Sequence, residues 1–200
     1  VPVATDSVIE GVCTVTLPKN NNSYTHSLFY TFGKLSGYIG ADGSCAEQEA
    51  RFSAEQVQFP VPESFYSAIP NSKQGQCTFL CRTYNADELI GERTCTCIFT
   101  AEEQRCAPVL NGTVRDTNET TLALTGDENT LIRFHSNALC GCTATGRNGA
   151  AITKQQVNGH TLSQGQYVLS AVEGSSFQFS AVDSRGYESQ QTVECALIPY

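Results

Sequence analysis

Ten cysteines hold most of the chemistry available to this 200-residue chain: Cys13, Cys45, Cys77, Cys81, Cys95, Cys97, Cys106, Cys140, Cys142 and Cys195. Metal ligation, thiol redox catalysis and structural cross-linking all use such a set. Structural zinc wants C-x₂₋₄-C knuckles, usually with histidine close by. Only Cys77 and Cys81 approach that spacing, so no metal and no other cofactor is expected. A redox catalyst wants C-x-x-C at the start of a helix, where the thiolate is stabilised. The close pairs here, Cys95 with Cys97 and Cys140 with Cys142, are spaced i,i+2, which would strain a bridge, and neither opens a helix. An even number of cysteines in a polar, folded chain is therefore read as five disulfides.

Other reactive residues form no catalytic constellation. His26, His135 and His160 sit in no nucleophile-elbow context, and His26 and His135 lie inside strand-like runs. Glu47 with Glu49, and Glu102 with Glu103, are candidate carboxylate pairs, but sequence neighbours do not set the ~5–9 Å separation of a glycosidase. No catalytic residue is assigned, and the expectation is a protein that is not an enzyme. Glycosylation sequons begin at Asn21, Asn111 and Asn118, all in polar, turn-like surroundings.

Composition narrows the class. Apolar residues make up 40% of the chain and charged ones 16%, below the typical ~25%, with no Trp and no Met. Such a chain folds rather than remaining disordered. The net charge of −8, from 12 basic and 20 acidic residues with the basic ones scattered, argues against nucleic-acid and anionic-membrane surfaces. No 18-residue apolar run predicts a membrane span. The chain opens on Val1, Pro2, Val3 and Ala4 without the basic and apolar regions of a signal peptide, so one is expected to have been removed from a secreted, extracellular protein, most simply a monomer.

The elements that must position these residues are mostly strands. Residues 12–17 and 26–32 alternate or run apolar like strands, and 57–61 alternates around Pro60, which confines it to a sheet edge. One helix is expected over about 44–54: Ser44 and Glu47 have capping-box spacing, and Ala46, Ala50 and Ala54 follow at helical spacing. Residues 62–76 read as a loop, and 77–84 with 93–100 as an antiparallel pair. On those strands Cys77 and Cys81 share a face, as do Cys95 and Cys97. Beyond Cys106 the pattern is repeated hairpins: 120–125 with 130–135, a tight turn at Asn148 and Gly149, 166–172 with 176–182, and a last strand over 190–197. The expected fold is therefore α+β and mostly β. It consists of a cysteine-rich domain over 1–103, with one helix packed on a sheet, followed by an antiparallel β-sandwich over 104–200.

That layout resembles the dual-domain secreted effectors of plant-pathogenic Fusarium, the group containing secreted-in-xylem avirulence proteins. The resemblance rests on Cys13, Cys45, Cys77, Cys81, Cys95 and Cys97 in the first half and Cys106, Cys140, Cys142 and Cys195 in the second. It implies a non-enzymatic virulence factor in the plant apoplast or xylem, whose partner is a host plant protein or immune receptor. Two other readings stay open. One is an expansin-like carbohydrate- or wall-binding protein, and the other is a secreted inhibitor of a host hydrolase that offers 62–76 as bait. A boundary between Cys97 and Cys106 leaves six cysteines before it and four after. Three bridges then belong to the first domain and two to the second, with Cys106 tied to Cys140 or Cys142 and Cys195 taking the other.

Overall fold

β-branched and aromatic residues fit a pleated, half-buried surface, and strands take up most of the chain in the computed structural model, which describes residues 1–200. The chain divides into two units, Val1–Arg105 and Cys106–Tyr200.

In the first unit the strands are β1 (Val3–Ala4), β2 (Ser7–Val8), β3 (Val12–Thr16), β4 (Tyr24–Phe32), β5 (Leu35–Ile39), β6 (Cys45–Ala46), β7 (Gln56–Pro60), β8 (Gln74–Asn85) and β9 (Glu88–Thr100). They form a three-stranded sheet in the order β1-β3-β7 and a six-stranded sheet in the order β2-β9-β8-β4-β5-β6. Pro60 sits on edge strand β7, where its missing N–H costs no ladder bond. The core between the sheets is aromatic. Phe59 of β7 lies 5.5 Å from Tyr30, 5.8 Å from Phe79 and 6.4 Å from Phe99, centroid to centroid, spacings at which tilted and edge-to-face rings attract. A single helical turn, α1 (Phe65–Ala68), closes this core by stacking Phe65 on Phe32 at 4.6 Å.

The helix expected over 44–54 does not form. Ser44 spends both its N–H and its hydroxyl on Oδ1 of Asp42, at 3.0 and 2.7 Å, a local turn that competes with helical capping. Cys45 and Ala46 then pair with β5, and Glu49 is drawn to Ser27 and Tyr84. Tertiary partners outweigh the propensity of three alanines. The first unit is therefore built from sheets rather than from a helix packed on a sheet. Within the stretch 62–76, Phe65 and Tyr66 are fully buried, whereas Asn71, Ser72, Lys73 and Gln74 are exposed.

The second unit contains β10 (Val109–Asp116), β11 (Thr130–Ile132), β12 (Ala138–Thr145), β13 (Ile152–Val157), β14 (His160–Thr161), β15 (Gln166–Leu169), β16 (Ser176–Asp183), β17 (Glu188–Glu194) and β18 (Ala196–Ile198). Sheets in the orders β10-β12-β15 and β14-β13-β16-β17 bury their inner faces in one core. Val114, Cys140 and Cys142 come from the first sheet, and Val157, Phe177 and Phe179 from the second. That is sandwich-like packing. Strands β11 and β18 pair in parallel beside it. A short turn, α2 (Glu103–Cys106), and a longer helix, α3 (Glu119–Thr125), complete the secondary structure.

Two expected hairpins are replaced. Residues 119–125 are helical: Asn118 caps the N-terminus by accepting from the Thr120 N–H, and Gly126 ends the helix at φ 67°. Residues 166–169 and 176–183 do form strands, but β15 pairs with β12 while β16 pairs with β13 and β17. The connection between them crosses from one sheet to the other. Asn148 and Gly149 do take left-handed φ values, 50° and 79°, which a type I′ turn requires.

Gly112 of β10 is fixed by contact rather than by φ, because a Cβ there would lie 2.4 Å from the Phe179 ring. Gly112→Ala is expected to cost about 2 kcal/mol by overpacking the core. Urea denaturation should show a lower midpoint at unchanged slope, and an unshifted midpoint would contradict this packing.

Candidate functional site

The thiols are gathered by strand register. Strands β8 and β9 pair so that Cys77 faces Cys97 and Phe79 faces Cys95. Because i,i+2 and i,i+4 positions on a strand share a face, the four cysteines of this hairpin point together. From the opposing sheet, Cys13 of β3 brings its Sγ within 4.0 Å of the Cys97 Sγ. Cys13, Cys77, Cys81 and Cys97 are buried, Cys95 is half-buried and Cys45 is exposed.

These surroundings hold Cys13, Cys81 and Cys97 protonated. Cys13 is pushed up by the hydrogen bond it shares with Cys97 and then by burial. For Cys97 the Cys13 contact pulls down, but the Cys77 contact and burial prevail and push it up to about 12. Burial raises Cys81 to about 11, and burial followed by the charge of Cys195 raises Cys140 to about 11. A thiol so shifted is a poor nucleophile at neutral pH.

No two of the ten cysteines stand at disulfide distance, so the expectation of five disulfides is corrected. That includes the bridges from Cys106 to Cys140 or Cys142 and the remaining one to Cys195. The side chains of Cys13, Cys77, Cys81, Cys97, Cys106, Cys140 and Cys142 are instead buried as small apolar groups. An even number of cysteines is a property of a sequence, whereas a bridge requires two Cβ vectors aimed at one another.

The histidines are dispersed. His26 is buried and shares a 3.0 Å hydrogen bond between its Nδ1 and Thr83 Oγ1. Burial, followed by the charge of Lys19, lowers its pKa and keeps it neutral. With Lys19, Tyr24, Glu92 and Arg93 it lines an open cavity of about 320 Å³. His160 stacks on Tyr167 at 4.7 Å, and His135 lies 4.1 Å from the Tyr200 ring. Of the candidate carboxylates, Glu49 accepts from Ser27 Oγ and Tyr84 Oη at 2.6 Å each, and these bonds hold its carboxyl below the usual range. Glu47 lines a separate cleft with Phe29, Tyr30 and Tyr38. Glu103 begins α2.

The sequons have local structural roles. Asn21 Oδ1 accepts from the N–H and hydroxyl of Ser23, and Asn118 caps α3 while donating through Nδ2 to the His135 carbonyl at 2.8 Å. Asn111 is exposed on β10.

A surface that sequence reasoning missed lies at the turn after β11. Phe134 has φ 64°, a left-handed conformation that is a genuine outlier for a bulky side chain, and its ring is 55% exposed. The turn is pinned from several directions. The Phe134 N–H donates to Val172 O at 2.7 Å, the Arg133 N–H to Ile198 O at 2.9 Å, and the Ile132 N–H to Ser136 Oγ at 2.7 Å. Ser136 Oγ in turn donates to buried Asp116 at 2.6 Å. Beside Phe134 stand the Arg133 guanidinium, 5.2 Å from its ring centroid, and exposed His135, whose ring lies 4.1 Å from that of exposed Tyr200. Aromatic rings beside a guanidinium and an imidazole can stack on planar or ring-shaped groups and hydrogen-bond at their edges. A positive φ at phenylalanine leaves no signature in sequence, so only the backbone shows this site.

A family model described as "Siphovirus protein of unknown function (DUF859)" matches residues 3–200. No curated protein sequence matches the chain. Among solved structures, the mouse nectin-like molecule 4 ectodomain (Ig1-Ig3) is similar at 11% identity and TM-score 0.31, covering 100% of this chain and 64% of that one. A C-terminal fragment of intimin, in complex with the intimin-binding domain of its translocated receptor, is similar at 13% identity and TM-score 0.35, covering 96% and 62%. The Sidekick-1 immunoglobulin domains 1–5 follow at 10% identity and TM-score 0.44, covering 98% and 38%. This chain thus spans less than two thirds of each of those chains.

The family match overturns the resemblance to Fusarium effectors, together with the plant receptor, avirulence and virulence expectations attached to it. That resemblance was carried by cysteine positions and composition, which unrelated β-rich folds can share.

Proposed function

The chain belongs to the siphovirus protein family DUF859, and from that premise we propose that it is a non-catalytic structural or binding component of a phage particle. Within it, the Phe134 turn is the recognition surface. It acts outside the cell once the particle is released, on a protein or glycan of the bacterial surface.

The observation that carries this reading is the conformation of Phe134. A bulky residue in the left-handed region costs of order 1–3 kcal/mol, and such strain persists where the surrounding structure over-determines it, typically at functional sites. Burial does not offset the cost here, because the ring is largely in solvent.

Phe134→Gly removes both the ring and the strain. Thermal stability is expected to be unchanged or slightly higher, while binding of the fluorescently labelled chain to cells of the phage's host falls at least tenfold. Mass spectrometry of purified particles supplies the second readout. A chain that is absent from particles and shows no saturable binding to host cells at micromolar concentration would defeat the proposal. Full binding by Phe134→Gly would move the recognition surface elsewhere.

A further inference from the structure

We infer that Cys13 and Cys97 are a redox-responsive pair that forms a covalent cross-link between the two sheets of the first unit, with a low-molecular-weight disulfide such as oxidised glutathione as the oxidant. Both side chains are buried, and their sulfurs already lie 4.0 Å apart although the residues are 84 positions apart in sequence. Cys13 is on β3 of the three-stranded sheet, paired opposite Phe59, and Cys97 is on β9 of the six-stranded sheet, paired opposite Cys77. Each sulfur must move by about 1 Å to reach the ~2.05 Å bonding distance.

Cys77 is the competing partner, because it faces Cys97 on the neighbouring strand. A bridge between Cys77 and Cys97 would join strands already held by their own ladder. A bridge from Cys13 to Cys97 joins two sheets across a long loop and so restricts the unfolded chain more.

The chemistry balances in two exchanges. On transient opening of the unit, one cysteine thiolate attacks a sulfur of the oxidant, forming a mixed disulfide and releasing one small thiol. The second cysteine thiolate then attacks the protein sulfur of that mixed disulfide and releases the second small thiol. The two protein thiols give up two electrons and two protons, and the oxidant is reduced to two thiols. Burial, together with the raised thiol pKa values, makes the exchange slow in the closed state and leaves the resting protein reduced.

The test starts from the full chain prepared fully reduced, incubates it with excess oxidised or reduced glutathione, and maps pairing by differential alkylation and peptide mass spectrometry. The expected product joins the peptides carrying Cys13 and Cys97. Its Tm should rise by roughly 10 °C or more and return to the starting value on reduction. Cys77→Ala should keep that shift, while Cys13→Ala and Cys97→Ala should lose it. Mapping of the unaltered chain decides the matter even where a variant fails to fold. A bridge from Cys77 to Cys97, two free thiols at Cys13 and Cys97 after oxidation, or a full Tm shift in Cys13→Ala would each overturn the inference.

Discussion

Asp116→Ala should destabilise the second unit by about 3 kcal/mol, because one buried carboxylate organises four separate donors. Its Oδ2 accepts from Thr121 Oγ1 and from Ser136 Oγ, the latter at 2.6 Å, while Oδ1 accepts from the Asn118 N–H at 3.0 Å and the Asn137 N–H at 3.2 Å. Alanine removes the shared acceptor of the buried Ser136 hydroxyl and of the Asn118 and Asn137 N–H groups, while Thr121 Oγ1 keeps only the Asn118 carbonyl at 3.0 Å. Burial pulls the Asp116 pKa upward, but the bonds from Ser136, Thr121 and the two backbone N–H groups outweigh it, so the carboxyl titrates below its ordinary range. The folded state therefore binds this proton less readily than the unfolded chain. The stabilisation is full above the unfolded value of about 3.9 and is lost as pH falls through the depressed folded value. Urea denaturation across pH 2–7 checks both points. Wild type should converge toward Asp116→Ala at the acid end, and equal stability of the two at pH 7 would contradict the network. Since Ser136 also anchors the Phe134 turn, the same variant should weaken binding to host cells without touching the exposed rings.

The second large effect belongs to Arg185, whose side chain is fully buried. Its Nη1 and Nη2 donate to the carbonyls of Arg147 and Asn148 at 2.8 Å each, and its guanidinium stands 3.8 Å from Asp183 Oδ2. It thus clamps the loop at Asn148 and Gly149 to the turn after β16. Asp183 Oδ1 already accepts from the N–H groups of Arg185 and Tyr187, at 3.0 and 2.9 Å. Arg185→Met should cost about 3–4 kcal/mol, mostly by leaving the Asp183 carboxylate buried beside no cation. Arg185→Lys should rescue little, since a single ammonium does not reproduce the planar fork that spans two carbonyls. Combining Arg185→Met with Asp183→Asn should recover more than half of the loss, because asparagine keeps the Oδ1 acceptor and removes the charge. Chemical denaturation of the four proteins gives the coupling energy. Strict additivity of the two substitutions would show that the ion pair is not what holds this turn.

Much of the strand content was legible in the residues. Strands β3, β4 and β7 and the β8–β9 hairpin follow from period-2 alternation, β-branched residues and the edge placement of Pro60, all of them local properties. The mostly-β class and sandwich-like packing follow from the same signals. The helix over 44–54 failed because Asp42 captured Ser44, and Ser27 and Tyr84 captured Glu49, contacts from outside the helix window. The α3 helix was hidden for the opposite reason: its Asn118 and Gly126 caps were present, but its threonines read as strand formers.

The cysteines divide in the same way. Sequence alone determined that Cys77 and Cys81 point the same way, and that Cys95 and Cys97 do; the β8–β9 register put all four on one face. Sequence did not determine what that face looks at, because a strand's periodicity fixes which side chains point together and says nothing about the sheet that covers them. Only the tertiary structure brought Cys13 across to Cys97, sent β15 and β16 into different sheets, and forced Phe134 into a left-handed turn above Asp116. Each of those outcomes depends on partners distant in the chain, and packing selects among them by total burial and satisfied hydrogen bonds.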